Sequence, residues 1–136
     1  MDTKKILLIE DDYFINQLYM RVLKQAGYNI ILASDGIEGV KLADNSFDLI
    51  LLDIMLPKMD GINVLKKLKE NPNTKKVPVI LLTNLGQASI IKAAFTIGAQ
   101  GYLMKMGLTP YEVAEKIKPF LMNPSFQMDI KEVDLD

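Results

Sequence analysis

Four short apolar runs in this 136-residue chain each end in residues that could do chemistry. Ile6-Leu7-Leu8-Ile9 runs into Glu10-Asp11-Asp12, and Leu49-Ile50-Leu51-Leu52 runs into Asp53. A third run over 77–82 reaches Thr83-Asn84, and Gly101-Tyr102-Leu103-Met104 reaches Lys105. Carboxylate oxygens are hard ligands that suit Mg²⁺, Mn²⁺ or Ca²⁺. Too few are available for an all-protein calcium cage, so Mg²⁺ sharing a phosphate oxygen fits better. Lys105 would add a fixed positive charge and Thr83 a hydroxyl. A metal, an ammonium and a hydroxyl around a carboxylate form a cradle for a phosphoryl group, because phosphoryl transfer depends mostly on positioning and charge neutralisation. Each residue also has an ordinary reading: Asp12 as a helix N-cap, Thr83 as a strand residue, Lys105 as a solvated side chain. Taken singly the ordinary readings win. The joint occurrence at four run ends favours the chemical one.

Composition narrows the alternatives. With no cysteine and no histidine, the chain has no disulfide, thiolate site, imidazole zinc site, Ser-His-Asp triad or phosphohistidine of its own. Sixteen basic against seventeen acidic residues give a net charge of −1, which offers no electrostatic footprint for nucleic acid, so direct binding to it is not expected. Lysines 66, 67, 69, 75 and 76 read as a solvated helix face and the following loop. The first apolar run is far too short for a signal peptide or a span, so no membrane contact and a cytoplasmic location are expected. At 49% hydrophobic residues the chain can fill one well-packed domain.

The elements that must position these groups can be read in order. Strands are expected at Ile6–Ile9, Tyr28–Ala33, Leu49–Leu52, Val77–Leu82 and Gly101–Met104, the second at a sheet edge. A first helix presents Phe14, Leu18, Val22 and Leu23 on one face and is capped by Gly27. A second carries Ile37, Val40 and Leu42 and ends near Asn45, and a third buries Ile62, Leu65 and Leu68 before Asn71-Pro72. A fourth, from about Gly86 to Ile97, buries Ile90, Ala94 and Ile97 ahead of Gly98. A last one opens on the capping box Thr109-Pro110-Tyr111-Glu112, carries Val113, Ile117 and Leu121, and stops before Pro124. Five strands alternating with five helices predict an α/β fold: a flavodoxin-like, doubly wound, five-stranded parallel sheet of order 2-1-3-4-5.

That topology brings every strand's carboxyl end to one edge, so Glu10, Asp11, Asp53, Thr83 and Lys105 converge on one crevice. Two carboxylates about 4 Å apart repel by roughly 4 kcal/mol at an effective dielectric near 20, so a cluster of them calls for a cation.

The sequence resembles the receiver domain of two-component response regulators over about residues 3–122. The matching stretches are Ile6 to Asp12, Ala33 to Glu38, Asp48 to Gly61, Leu82-Thr83 and Gly101 to Lys105. The resemblance implies that Asp53 is a phosphoacceptor served by a histidine kinase or a histidine phosphotransfer protein. It implies Mg²⁺ held by Asp11 directly and by Glu10 through water, with Asp53 and the backbone carbonyl of Met55 completing the set. Lys105 then pairs with the phosphoryl group, Thr83 shifts to hydrogen-bond it, the Asn84 N–H binds it, and Tyr102 is the aromatic that reports the switch. The domain would carry out self-phosphorylation and slow autodephosphorylation without being a turnover enzyme. Output would pass through the fourth helix, fifth strand and fifth helix to a protein partner whose identity the sequence leaves open, as it does a homodimer.

Two positions depart from the family pattern. Met106 stands where proline usually follows the strand-5 lysine, which predicts a trans, rearranged loop. Asn84 stands where a small residue is usual and either crowds the entrance or offers a hydrogen bond. Apolar Met55 and Leu85 beside the site predict a long-lived phosphorylated form. A phosphatase with an aspartyl intermediate would resemble Asp-x-Asp, but Met55 holds the second position; a flavin protein would need a hydroxyl- and glycine-rich loop where three acids stand. A non-phosphorylatable pseudo-receiver is the remaining alternative. The receiver unit is expected over residues 1–122, with an acidic tail over 123–136 and no output domain.

Overall fold

The computed structural model describes residues 3–129. Strands β1 (Lys5–Ile9), β2 (Asn29–Ala33), β3 (Leu49–Leu52), β4 (Val79–Thr83) and β5 (Gly101–Met104) form one parallel sheet of order β2-β1-β3-β4-β5. Parallel strands covered on both faces read as continuous apolar runs, and Leu49 to Leu52 are all fully buried. Alternate residues feed opposite faces. Leu7, Ile9, Ile50, Leu52 and Leu81 pack with α3 (Gly61–Glu70) and α4 (Ala88–Ile97) through Val64, Leu65 and Ile91. Ile6, Leu8, Leu51 and Leu82 pack on the other face with Leu23 of α1 (Tyr13–Gln25) and Val113 of α5 (Pro110–Lys116).

Local chemistry sets the helix ends as the sequence indicates. Asp12, Asp35, Asp60 and Thr109 are N-caps whose side chains accept from backbone N–H groups three residues on, and Thr109 with Glu112 forms a full capping box. Gly27 and Gly98 turn the chain at positive φ after α1 and α4.

Several expectations need correction. Phe14 does not face the core: it is 83% exposed and stacks edge-on against Tyr13, on the side of α1 opposite buried Asn16. The buried positions of α1 are Asn16, Tyr19, Val22 and Leu23. In α2 (Gly36–Leu42) the buried residues are Gly36 and Gly39, whereas Ile37 and Leu42 are exposed. The helix rides so close to β1 that a Cβ at Gly39 would meet Ile9 at 2.6 Å. It ends at Leu42 rather than near Asn45, since Ala43 is already extended. In α4 the buried residues are Ile91, Ala94 and Phe95, with Ile90 and Ile97 only partly covered. Apolar neighbours at 90/91 and 94/95 left the phase of that helix undetermined. Strand β4 starts at Val79, two residues later than expected, with Pro78 just outside it and its carbonyl accepting from Ile50. The expected last helix is divided into α5 and α6 (Lys118–Met122), because Pro119 has no N–H to continue the ladder.

Candidate functional site

Asp53 follows β3 directly, its N–H bonded to the carbonyl of Ile9 at 3.1 Å. Glu10 follows β1, its N–H bonded to Ala33 on the far side. The backbone ladders of two neighbouring strands therefore deliver both carboxylates to the same edge. Lys105, arriving from β5, lies between them. Its Nζ donates to Glu10 Oε1 at 2.6 Å and to Asp53 Oδ2 at 2.8 Å. The side chains are 12%, 2% and 6% exposed respectively, so the three charges share a nearly dry pocket. Charge-assisted bonds in such surroundings are the strong ones.

The remaining carboxylate oxygens are held as well. Asp53 Oδ1 accepts from the Met55 N–H at 3.0 Å, and Glu10 Oε2 accepts from the Asp12 N–H at 3.1 Å. Asn16, fully covered, donates from Nδ2 to the Glu10 carbonyl. Burial raises the Glu10 carboxyl above its usual range, against the pull of Lys105. For Lys105 burial works against the charge, yet the bonds to Asp53 and Glu10 outweigh it and hold the ammonium above its ordinary value. Exposed Asp11 completes the acidic group: oxygens of Glu10, Asp11 and Asp53 lie within 4.8 Å of one another.

Gly61 makes this geometry possible. Its N–H bonds the Ile54 carbonyl at 2.8 Å, and a Cβ there would stand 2.3 Å from Ile54 Cα and 2.6 Å from the Asp53 carbonyl. The loop after β3 therefore closes tightly against α3 only with glycine at that position.

Thr83 is fully buried at the end of β4, and its hydroxyl accepts from the Leu85 N–H at 3.2 Å. That bond stays within its own loop rather than reaching the carboxylates. Tyr102 is 6% exposed, with its hydroxyl donating to the Leu85 carbonyl at 3.2 Å. Leu85 therefore bridges Thr83 and Tyr102 through its backbone. Asn84 is exposed, and its Oδ1 accepts from the Met106 N–H at 2.8 Å. The two positions that depart from the family pattern thus meet each other. The loop they close is a short 3₁₀ turn over Lys105–Gly107, and the described residues contain no cis peptide bond. Beside it opens a cleft of about 440 Å³ lined by Asp12, Ile15, Tyr19, Asn84, Lys105 and Met106.

The sequence points to Glu10, Asp11, Asp53 and Lys105, and they do come together. It does not point to Asn16 or to the Leu85 carbonyl. A lone Asn on a helix and a backbone oxygen leave no pattern to read. Gly61 ends the matching stretch from Asp48, and only the contact distances explain it.

Comparison with known proteins bears on this geometry. Residues 6–118 match the family model described as the response regulator receiver domain. The chain is 42% identical over 114 residues to the DNA-binding dual master transcriptional regulator RpaA of Synechocystis, covering 83% of this chain and 46% of that protein. It thus spans about half the length of the curated relatives it matches. Among solved structures, a CheY-like receiver domain protein from Methanospirillum hungatei superposes with a TM-score of 0.83 at 30% identity, covering 90% of this chain and 97% of that one. The Mn(2+)-bound form of response regulator Rcp1 superposes with a TM-score of 0.75 at 28% identity, over 98% of this chain and 99% of that one. With the acidic pocket at the carboxyl edge and a family match over most of its length, the chain belongs to the response regulator receiver domain family.

Proposed function

We propose that this receiver domain is a phosphorylation-activated signalling switch in which Asp53 takes a phosphoryl group from a phosphohistidine on a histidine kinase or histidine phosphotransfer protein. The observation that carries this reading is Asp53 Oδ2 at 2.8 Å from Lys105 Nζ in a pocket shared with Glu10 and Asp11. Carboxylate oxygens alone, with no nitrogen or sulfur donor, fit Mg²⁺. Asp11 and Asp53 would hold it directly, with the backbone carbonyl of Met55. Glu10, whose two oxygens already bind Lys105 and the Asp12 N–H, would act through water. Bound there, Mg²⁺ would draw charge from the transferring phosphoryl oxygens. That the relative Rcp1 has a Mn(2+)-bound form supports the metal reading.

In the transfer a bond forms between an Asp53 carboxylate oxygen and phosphorus while the P–N bond to the donor breaks. The electron pair leaves with the donor imidazole. Lys105 follows the charge from Asp53 onto the phosphoryl oxygens, and the Asn84 N–H gives a further donor. The Thr83 hydroxyl leaves the Leu85 N–H to bond the phosphoryl group. Because Tyr102 is tied to the same Leu85, that movement loosens its hydroxyl and makes it the reporter of the switch. The phosphoryl group acts as a ligand that favours one of two loop arrangements and so alters the surface of α4, β5 and α5 for a protein partner. Residues 1–122 would form the switch and 123–136 a tail, of which residues 130–136 lie outside the described ones. A cytoplasmic location accords with the histidine kinase reading; among the described residues no helix is long and apolar enough to cross a membrane.

Half-exposed Leu85 and the exposed side chain of Met55 border the acyl phosphate and hinder water, giving a long-lived phosphorylated form. A timed mass measurement checks this, and rapid loss of phosphate contradicts it. The reading as a whole is tested by intact mass after incubation with acetyl phosphate. One phosphoryl adduct that needs Mg²⁺ and is missing from Asp53→Asn supports it. No adduct on a folded chain favours a pseudo-receiver that acts only by binding.

A further inference from the structure

Among the described residues strand β5 is an edge of the sheet, and sheet edges are templates for pairing with another chain. In this molecule a segment beyond α6 is drawn across the start of that edge. Gln100, the residue that leads into β5, donates through Nε2 to the carbonyls of Pro124 and Phe126, both at 2.9 Å. Its own carbonyl accepts from the Met128 N–H at 2.8 Å. One residue therefore ties the segment at three points. The Phe126 ring stacks edge-on against Phe120 at 4.9 Å, and Phe120 in turn lies against Gly101, where a Cβ would meet it at 2.7 Å. Met128 packs against the apolar clusters on both faces of the sheet. The segment thus runs between Lys92 and Phe95 of α4 on one side and Lys116 and Pro119 on the other.

We propose that residues 124–128 are a strap that occupies the β5 edge in cis and keeps a second copy of this chain from pairing there. The inference stands on packing alone and does not depend on whether Asp53 is phosphorylated. Phe126 and Met128 cover apolar surface that a partner copy would otherwise bury, and Gln100 holds the segment through its side-chain amide and its own carbonyl. The anchors lie at the amino end of β5, away from Lys105, so removing them leaves the acidic pocket unaltered.

The test uses the full chain with Gln100→Ala, which removes two of the three anchoring bonds, and separately Phe126→Ser, which removes the ring contact. Sedimentation velocity over a range of concentrations reads self-association, and amide exchange reads the Met128 N–H and the β5 amides. The expected result is a monomeric wild type with a protected Met128 N–H. Both variants should lose that protection and self-associate at least about tenfold more tightly, with β5 amides protected as concentration rises. Circular dichroism confirms that each variant is folded. Variants that stay monomeric with a freely exchanging Met128 N–H overturn the proposal. So does an unchanged Met128 N–H in both variants, or a wild type that pairs through β5 while its strap remains protected.

Discussion

Asn84 Oδ1 accepts a hydrogen bond from the Met106 N–H at 2.8 Å, tying the loop after β4 to the turn that carries Lys105. A proline at 106 would have no N–H to give, and an alanine at 84 no side-chain oxygen to receive it, so the bond needs both departures from the family pattern. The bond is exposed, and exposed neutral hydrogen bonds contribute about 0.5–1.5 kcal/mol. Asn84→Ala should lower stability by no more than about 1.5 kcal/mol. It should also speed amide exchange at Met106 several-fold. Unchanged exchange at Met106 would show that the two loops are held together by something else.

Lys105 pairs with two buried carboxylates at once. Breaking a buried charge pair by removing one partner costs about 3–5 kcal/mol, because the other charge is left uncompensated. Lys105→Ala should therefore unfold at lower urea than wild type in the presence of a chelator. Added Mg²⁺ should restore more stability to the variant than it adds to wild type, since the ion no longer competes with the ammonium for Glu10 and Asp53. Equal Mg²⁺ increments in the two proteins would mean that the cation does not enter this pocket.

Gly61 touches the backbone at both ends of the Asp53-Ile54 peptide. Overpacking a tight site costs typically 1–3 kcal/mol, and a Cβ 2.3 Å from another Cα cannot be absorbed by a rotamer change. Gly61→Ala should lose at least about 2 kcal/mol in urea unfolding and displace the Asp53 carboxylate from Lys105. A loss under about 0.5 kcal/mol would indicate that the loop has slack the contacts do not reveal.

Stability should also respond to acid in a defined direction. The Asp35 carboxyl lies below its ordinary range, chiefly because it accepts from the Glu38 N–H, with Lys58 at 3.2 Å helping. Glu112 is lowered chiefly by the Thr109 N–H in the capping box. A carboxyl with a depressed folded value binds fewer protons folded than unfolded, so its stabilisation is present above the unfolded value and fades as pH falls through the folded one. Urea midpoints should drop as pH falls below about 4, and the drop should be shallower for Asp35→Asn and for Glu112→Gln. An unchanged slope in both variants would remove these caps from the account.

Much of this molecule is legible in its sequence because the strands are buried on both faces. Ile6 to Ile9 and Leu49 to Leu52 can be nothing else, and a parallel sheet then obliges Glu10, Asp53 and Lys105 to share an edge. Helix faces were harder to read, since apolar Phe14 lies on the exposed face of α1 and α2 packs by glycines that carry no apolar signal. A hydrogen bond from Asn84 is one of two expectations for that side chain, but its partner at Met106 and the Gln100 side-chain anchors escape any pattern, because each pairs a side-chain amide with a backbone atom far away in the chain.

The central claim is that Asp53 is the nucleophile. It is tested most directly by treating the chain with acetyl phosphate and Mg²⁺, reducing with borohydride, and locating the modified residue by peptide mass spectrometry. An acyl phosphate is reduced to the alcohol, so the account expects homoserine at position 53, only with Mg²⁺. Homoserine at position 11 instead, or no modification on a folded chain, would contradict it.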